Sequence, residues 1–461
     1  MSKRLILVLL STAATAAAAP ALAQGKPSPW SVGKALDAPE GLTVSGSVRL
    51  RYEVIDGQPR PGFNDRDDLI NLRTTLFGEY RKGPIRLGAE LYDSRVWEDD
   101  AGAPVGTNEV NTLELVQAYV AADFDSPFAA RGKASVQAGR FTLNLGSRRL
   151  VAADDYRNTT NGYTGLRVDA ALPAGAKATG IWVMPQVRLP DDAPSLRDSQ
   201  VEWDRESDDL VLWGGLVSRP RTVGDAMLEA SYFHLEERDA AGRPTRDRAL
   251  DTFGLRVIRD PAPGKLDYEI EVIGQTGQIS ASTSQTAATL DVEAGFLHAD
   301  VGYSFNTAWK PRLSFEVDYA SGDDGDVRYG RFDTLFGMRR ADLAPAGLYN
   351  AVGRANIATP GVRLEITPDP RLDALVAYRG LWLASASDSF STTGVRDATG
   401  DSGRYAGQQV EGRVRYWLVP DALRGEVSAV LLDKAGVLDD ATNAPRNGDA
   451  AYISLNLTAL F

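Results

Sequence analysis

The last eleven residues, Ala451-Tyr452-Ile453-Ser454-Leu455-Asn456-Leu457-Thr458-Ala459-Leu460-Phe461, place apolar side chains at every odd position. Tyr452, Ser454, Asn456 and Thr458 hold even positions between them. Period two is the mark of a strand with one apolar face. A strand that ends a sheet in lipid would leave its backbone N–H and C=O groups without partners. A sheet that spans a membrane must therefore close, its last strand pairing with its first. A terminal Phe on such a strand is also the feature read by the bacterial barrel-assembly machinery, which makes that machinery an expected partner. A soluble sheet whose final strand happens to end in Phe is the alternative for this segment alone.

The other end agrees with export from the cytoplasm. Lys3-Arg4, the apolar run from Leu5 and Ala21-Leu22-Ala23 have the layout of a secretory leader with an A-x-A cleavage site. The expected division is a leader over 1–23, a periplasmic lead-in over 24–40 and a barrel over 41–461. No other stretch approaches the ~20 apolar residues of a membrane helix. The chain has no Cys and only His234 and His298, which leaves a zinc site or a Cys/His nucleophile short of parts. No cofactor is expected. A net charge of −12 argues against nucleic-acid binding.

Between these ends the alternating segments recur about eighteen times. They run from Leu42–Ile55, Leu69–Arg81 and Ile85–Arg95 to Gln409–Val419, Leu423–Asp433 and Ala451–Phe461. The connections alternate short and long: turns such as 81–84, 173–175, 260–264 and 419–421 take turns with loops such as 146–164, 185–209, 275–293 and 321–359. Short periplasmic turns, long extracellular loops and an even strand count are the layout of an outer-membrane barrel. The predicted fold is thus an all-β transmembrane antiparallel β-barrel of about 18 strands, embedded as a monomer in outer-membrane lipid. A soluble sandwich or propeller would not give long/short alternation along the whole chain, and no blade-length repeat is present.

A charge at mid-depth on the lipid face costs ~2–4 kcal/mol, so charged positions mark the lumen. In Leu42–Ile55 this puts Arg49, Arg51 and Glu53 inside. The same parity argument places Arg73, Arg86, Glu90, Arg167 and Asp169 inside, then Asp267, Glu269, Glu271, Asp300, Glu316 and Asp318. Arg363, Glu365, Arg379, Glu411, Arg413, Arg415, Arg424 and Glu426 follow. Arg140 shares parity with the apolar Val136 and Ala138, so a bulge or a rim position near Gly139 is needed to turn it inward. The ring then has an acidic wall (strands nine to thirteen) and an Arg-richer wall (strands fourteen to eighteen with one and two). Many of these charges are expected to pair across strands and hold the wall. A bore of eighteen strands is nevertheless too wide for wall side chains to fill, and Arg forks offer bidentate sites to carboxylates.

Asp267, Glu269 and Glu271 lie side by side on one strand rather than across a substrate, which is a poor arrangement for glycoside cleavage. Asp323, Asp324 and Asp326 are a weak Ca²⁺ candidate in a long loop, where solvated acids are the ordinary reading.

Two segments carry a more specific likeness. One is Gln137-Ala138-Gly139-Arg140-Phe141, continuing through Gly146-Ser147-Arg148-Arg149-Leu150-Val151 to Asn158 and Gly165-Leu166-Arg167. The other is Tyr319-Ala320-Ser321-Gly322-Asp323-Asp324-Gly325-Asp326 with Phe332-Asp333-Thr334-Leu335-Phe336 and Ala355-Asn356-Ile357. With the opening Arg49-Leu50-Arg51-Tyr52-Glu53, they resemble the alginate-export family of outer-membrane proteins. The resemblance implies an eighteen-stranded monomer with an Arg-rich lumen partly closed by folded-in loops, passing an acidic polysaccharide. It carries Arg140, Arg148, Arg149 and Arg167 over as lumen residues.

The expected function is a passive outer-membrane channel for an anionic polysaccharide or oligosaccharide, alginate-like, with export as its direction and periplasmic export proteins as partners. Arg49, Arg51, Arg73, Arg140, Arg148, Arg149, Arg167, Arg363, Arg413 and Arg415 form its track. An uptake porin for small organic acids or sugars is the second reading. An outer-membrane carbohydrate-active enzyme is the third.

Overall fold

The computed structural model describes residues 29–461 apart from 98–99, 241, 326 and 339–341; the expected leader, 1–23, lies outside the described residues. The described part of the lead-in contains a short helix, Val32–Ala35, capped by Ser31. Eighteen strands then follow: β1 Leu42–Asp56, β2 Arg66–Lys82, β3 Ile85–Trp97, β4 Asn111–Asp125, β5 Lys133–Phe141, β6 Tyr163–Ala171, β7 Lys177–Pro185, β8 Leu210–Val223, β9 Ala226–Glu237, β10 Ala249–Arg259, β11 Lys265–Ser280, β12 Thr289–Ser304, β13 Arg312–Ala320, β14 Ile357–Asp369, β15 Leu372–Trp382, β16 Tyr405–Val419, β17 Leu423–Lys434 and β18 Ala450–Leu460. Each pairs antiparallel with its neighbours in the chain. β18 closes on β1, with Ser47 opposite Leu460 and Asp56 opposite Ala451. Phe461 completes the seam by exchanging both backbone hydrogen bonds with Gly46, at 2.8 and 3.0 Å.

Alternation sorts the two faces as lipid and water require. Leu50, Tyr52 and Val54 are exposed on the outside of β1, while Arg49, Arg51 and Glu53 are buried in the bore. On β11, Leu266, Ile270 and Val272 are exposed and Asp267 and Glu271 are buried.

The structure corrects several boundaries. β11 and β12 run on to Ser280 and Thr289, which pair with each other, where a loop over 275–293 was expected. The outward positions there are Gly274, Thr276 and Gln278. Past the apolar belt neither face needs to be greasy, so a continuing strand loses its period-two pattern. In the opposite sense, β5 stops at Phe141 rather than Leu145. Leu143 and Leu145 alternate like strand residues, but they are buried among inward-folded loops instead of facing lipid. Arg328–Tyr329, inside the expected loop 321–359, pairs parallel with Asp291–Val292 of β12.

The core lies in the bore. Phe141, Leu143, Leu150, Val151 and Tyr163 pack into one cluster with Leu343, Tyr349, Val352, Phe390, Val437 and Tyr452. The cluster draws on loops 142–162, 321–356, 383–404 and 435–449. An eighteen-stranded bore leaves space that wall side chains cannot reach, and these loops occupy it.

Candidate functional site: a two-loop constriction in the lumen

Loops 142–162 and 321–356 meet inside the barrel. Phe336 N donates to Leu150 O at 2.9 Å, Ala152 N to Phe336 O at 3.1 Å and Met338 N to Arg148 O at 3.0 Å. Val151 and Phe336 thereby form a short parallel ladder.

One side of this span rests on Arg residues of the seam. Arg49 and Arg73 are direct partners across β1 and β2. Arg49 donates to Asp155 O at 3.0 Å and Arg157 O at 2.5 Å; Arg73 donates to the same two carbonyls at 3.1 and 3.2 Å. Arg51 donates to Tyr156 O at 2.6 Å and stacks over the Tyr156 ring at 4.0 Å. Carbonyl oxygens are neutral, so they satisfy donors without cancelling charge. Glu53, 3.7 Å from Arg51, already accepts from Asn71 and Tyr452, and Glu90 and Asp155 also lie near Arg73. Among the described residues, Nε of Arg49, Arg73 and Arg424 is buried without a hydrogen-bond acceptor.

The other side meets the acidic wall. Arg149 donates to Asp342 at 2.8 Å through both Nε and a terminal nitrogen. Its remaining terminal nitrogen reaches Glu269 at 2.5 Å and Glu271 at 2.6 Å. Arg354 also pairs with Asp342. Arg312, on the inward parity of β13, bridges Asp267 at 2.5 Å, Asp300 and Glu365. Arg256 reaches Glu269 at 2.9 Å, and Arg363 and Arg379 reach Glu316 at 2.9 and 3.3 Å. His298 Nδ1 lies 2.8 Å from Asp318. The acidic wall is thus an ion-pair network, and Arg149 belongs to it rather than to the seam.

The other expected residues divide similarly. Arg140 does turn inward, to Glu114 at 2.5 Å and Glu206 at 2.6 Å. The register of β5 is unbroken there; the shift lies across β4 near Leu115, and Gly139 adopts φ +121°. A Cβ at Gly139 would sit 2.3 Å from Ala118 O. Arg167 pairs with Asp169 at 2.7 Å, Arg148 lies 3.6 Å from Asp155, and Arg413 and Arg415 lie 3.8 and 2.8 Å from Asp373. Asp323 accepts from Gly330 N within its own loop, Asp324 is exposed, and Asp326 lies outside the described residues. Among the described residues one close trio of ligand types occurs, His298, Asp318 and Asp342; the carboxylate of Asp342 is already taken by two Arg, which makes the trio part of the ion-pair network.

Sequence reading missed Arg312, although its parity with Glu316 marked it. It also missed Asp342, Arg354, Arg157 and Arg188, which sit in loops without a period. Two loop acids are held protonated more readily than usual. Burial, then the neighbouring Glu53, pushes Glu109 up to about 7; burial, then Glu114, pushes Asp204 up to about 7.

A closed eighteen-stranded barrel with a lipid-facing apolar belt and a charged, loop-narrowed bore defines an outer-membrane channel of the porin type. Solved structures share this fold. Pseudomonas aeruginosa OccK8 (OprE) superposes with a TM-score of 0.57 at 12% identity, covering 92% of this chain and 98% of its own. OccK11 (OpdR) from the same organism gives 0.56 at 12% identity over 91% and 96%. OccK2 (OpdF), in a complex with glucuronate, gives 0.55 at 12% identity over 91% and 96%. No match is found among curated proteins. The sequence matches the alginate-export family over residues 41–448, and the chain belongs to that family.

Proposed function

We propose that the barrel passes anionic saccharides across the outer membrane, with the β1–β2 seam as its cationic track. The observation that carries this reading is the Arg49–Arg73 pair. Two guanidinium groups lie side by side on carbonyl acceptors, so their charge remains available to an anion. A carboxylate outcompetes a carbonyl for such a donor, since charge-assisted hydrogen bonds are roughly twice as strong. Family membership supports an acidic polymer as cargo and export as its direction. The two-loop constriction favours a second reading, passage of single sugar acids, because a polymer needs loops 142–162 and 321–356 to move aside.

Reversal potentials in planar bilayers under a salt gradient test the track. The natural channel is expected to be anion-selective, and the pair Arg49→Gln with Arg73→Gln to shift the potential toward cations. A cation-selective natural channel, unmoved by those substitutions or by Arg51→Gln and Arg363→Gln, sinks the proposal. Block by oligouronates against block by monomeric uronate separates the polymer from the single sugar acid.

A further inference from the structure

Four extracellular loops line a half-open cavity of about 390 Å³ beside the Val151–Phe336 ladder. That volume falls within the range of small-molecule sites, roughly 300–1,000 Å³. Arg157, Asn161, Gln186 and Arg188 supply its polar lining, and Leu335 and Phe336 an apolar wall. Arg188 donates to Asn161 Oδ1 at 2.6 Å, Thr160 O at 3.3 Å and Asn108 Oδ1 at 3.1 Å. All three acceptors are neutral, and Nε of Arg188 is buried without an acceptor among the described residues. Burial and the like charge of Arg157 lower Arg188 to about 10, so it still carries its charge at neutral pH.

The second observation concerns Gln186. It is 8% exposed, and its Oε1 is buried with no donor among the described residues. A buried amide oxygen without a donor has lost its water and gained nothing in return, and a ligand hydroxyl would relieve that cost. The oxygen rests against Gly162, where a Cβ would lie 2.1 Å away. The site thus offers a buried cation for a carboxylate, an amide oxygen for a hydroxyl and an aromatic wall for ring C–H groups. The acids nearby have other partners: Asp154 lies 2.7 Å from Arg157, Asp191 at the rim lies 3.4 Å from Arg243, Asp204 accepts from Asn111 Nδ2 and Leu189 N, and Glu109 accepts from Gly106 N.

We propose that this cavity is a binding site for one carboxylated sugar residue, a hexuronate, with Arg188 as the partner of its carboxylate and Gln186 as the acceptor of a ring hydroxyl. The site rests on the reading that anionic saccharides cross this barrel. It joins both constricting loops, so an occupied cavity contacts the chain on each side of the ladder.

The test is calorimetric titration of the full-length protein in detergent with sodium glucuronate, and with glucose as the uncharged control. Glucuronate is expected to bind and glucose to bind at least about tenfold more weakly, the loss that follows from one charge-assisted contact. Arg188→Gln and, independently, Gln186→Met, which keeps the length of the side chain and removes the amide oxygen, are each expected to weaken glucuronate by a similar factor. Glucose binding as tightly as glucuronate, or glucuronate binding unchanged in both variants, overturns the site. The titration reads the cavity and the reversal potential reads the seam. An anion-selective channel without Arg188-dependent glucuronate binding therefore removes the site alone, and Arg188-dependent binding in a cation-selective channel removes the seam alone.

Discussion

Arg149 shows how much one side chain can hold. Its guanidinium reaches three carboxylates, Asp342, Glu269 and Glu271, and 4% of its side chain is exposed. Two of those acids belong to the wall and one to the opposite loop, so the residue ties loop 142–162 to β11 and to loop 321–356 at once. Removing one partner of a buried ion pair leaves charges stranded, at a cost of about 3–5 kcal/mol. Arg149→Ala is expected to lower the thermal midpoint of the folded barrel and to raise single-channel conductance, because the span loses its anchor on the acidic side. Arg149→Lys should recover only part of both, since an ammonium cannot make the two-pronged contact with Asp342. Unchanged conductance in Arg149→Ala would show that the ladder and the seam hold the span without it. Arg140 pairs with two carboxylates, Glu114 and Glu206, both outside the ladder, so its loss should spare the ladder.

At the scale of elements, strands and loops obey different rules. Strand positions and facing were legible because lipid imposes a period of two and turns charges at mid-depth inward; Asp93 and Arg95 on β3 and Asp251 on β10 hold the outer parity nearer the strand ends. The same rule explains what was not legible. Past the belt, the β11–β12 hairpin lost its pattern while keeping its hydrogen bonds. Leu143 and Leu145 kept a strand-like pattern after the strand had ended. The Arg of the track could be found by parity, but their loop partners could not, since Asp342, Arg157 and Arg188 come from segments whose path depends on the whole bore. Two loop acids also make the loops sensitive to pH. Glu109 and Asp204 have folded values near 7, against about 4 for an unperturbed carboxyl. Between those values the folded loops bind protons that the unfolded chain releases, so loop stability rises as pH falls from about 7 toward 4 and is lowest when both acids are ionised above 7. Amide exchange in residues 100–110 and 186–209 is expected to be slower at pH 5.5 than at pH 8 after correction for intrinsic rates. Glu109→Gln with Asp204→Asn should flatten the difference. Protection that instead increases with pH would contradict the burial of these two acids.

For the molecule as a whole, closure of the sheet and closure of the bore are separate achievements. The sheet closes through the β1–β18 seam, which uses backbone pairing and an uncharged inner row of Tyr452, Ser454, Asn456 and Thr458. The bore closes through loops, and these also set its charge. Without loop 142–162 the acidic wall of β9–β13 would keep Arg256 and Arg312 but lose Arg149, leaving Glu271 and part of the Glu269 interaction unbalanced. The seam would keep Arg49, Arg51 and Arg73 but lose the carbonyls that hold them. Replacing residues 146–158 by a short Gly-Ser link is therefore expected to do two things together. Conductance should rise, because an eighteen-stranded wall encloses an aqueous channel once its plug is gone. The reversal potential should move toward cations, because the freed acids of β11 face water opposite the Arg seam and rings of charge select by sign. A wider channel with undiminished anion preference would mean that the seam alone sets selectivity and that the acidic wall remains neutralised without Arg149.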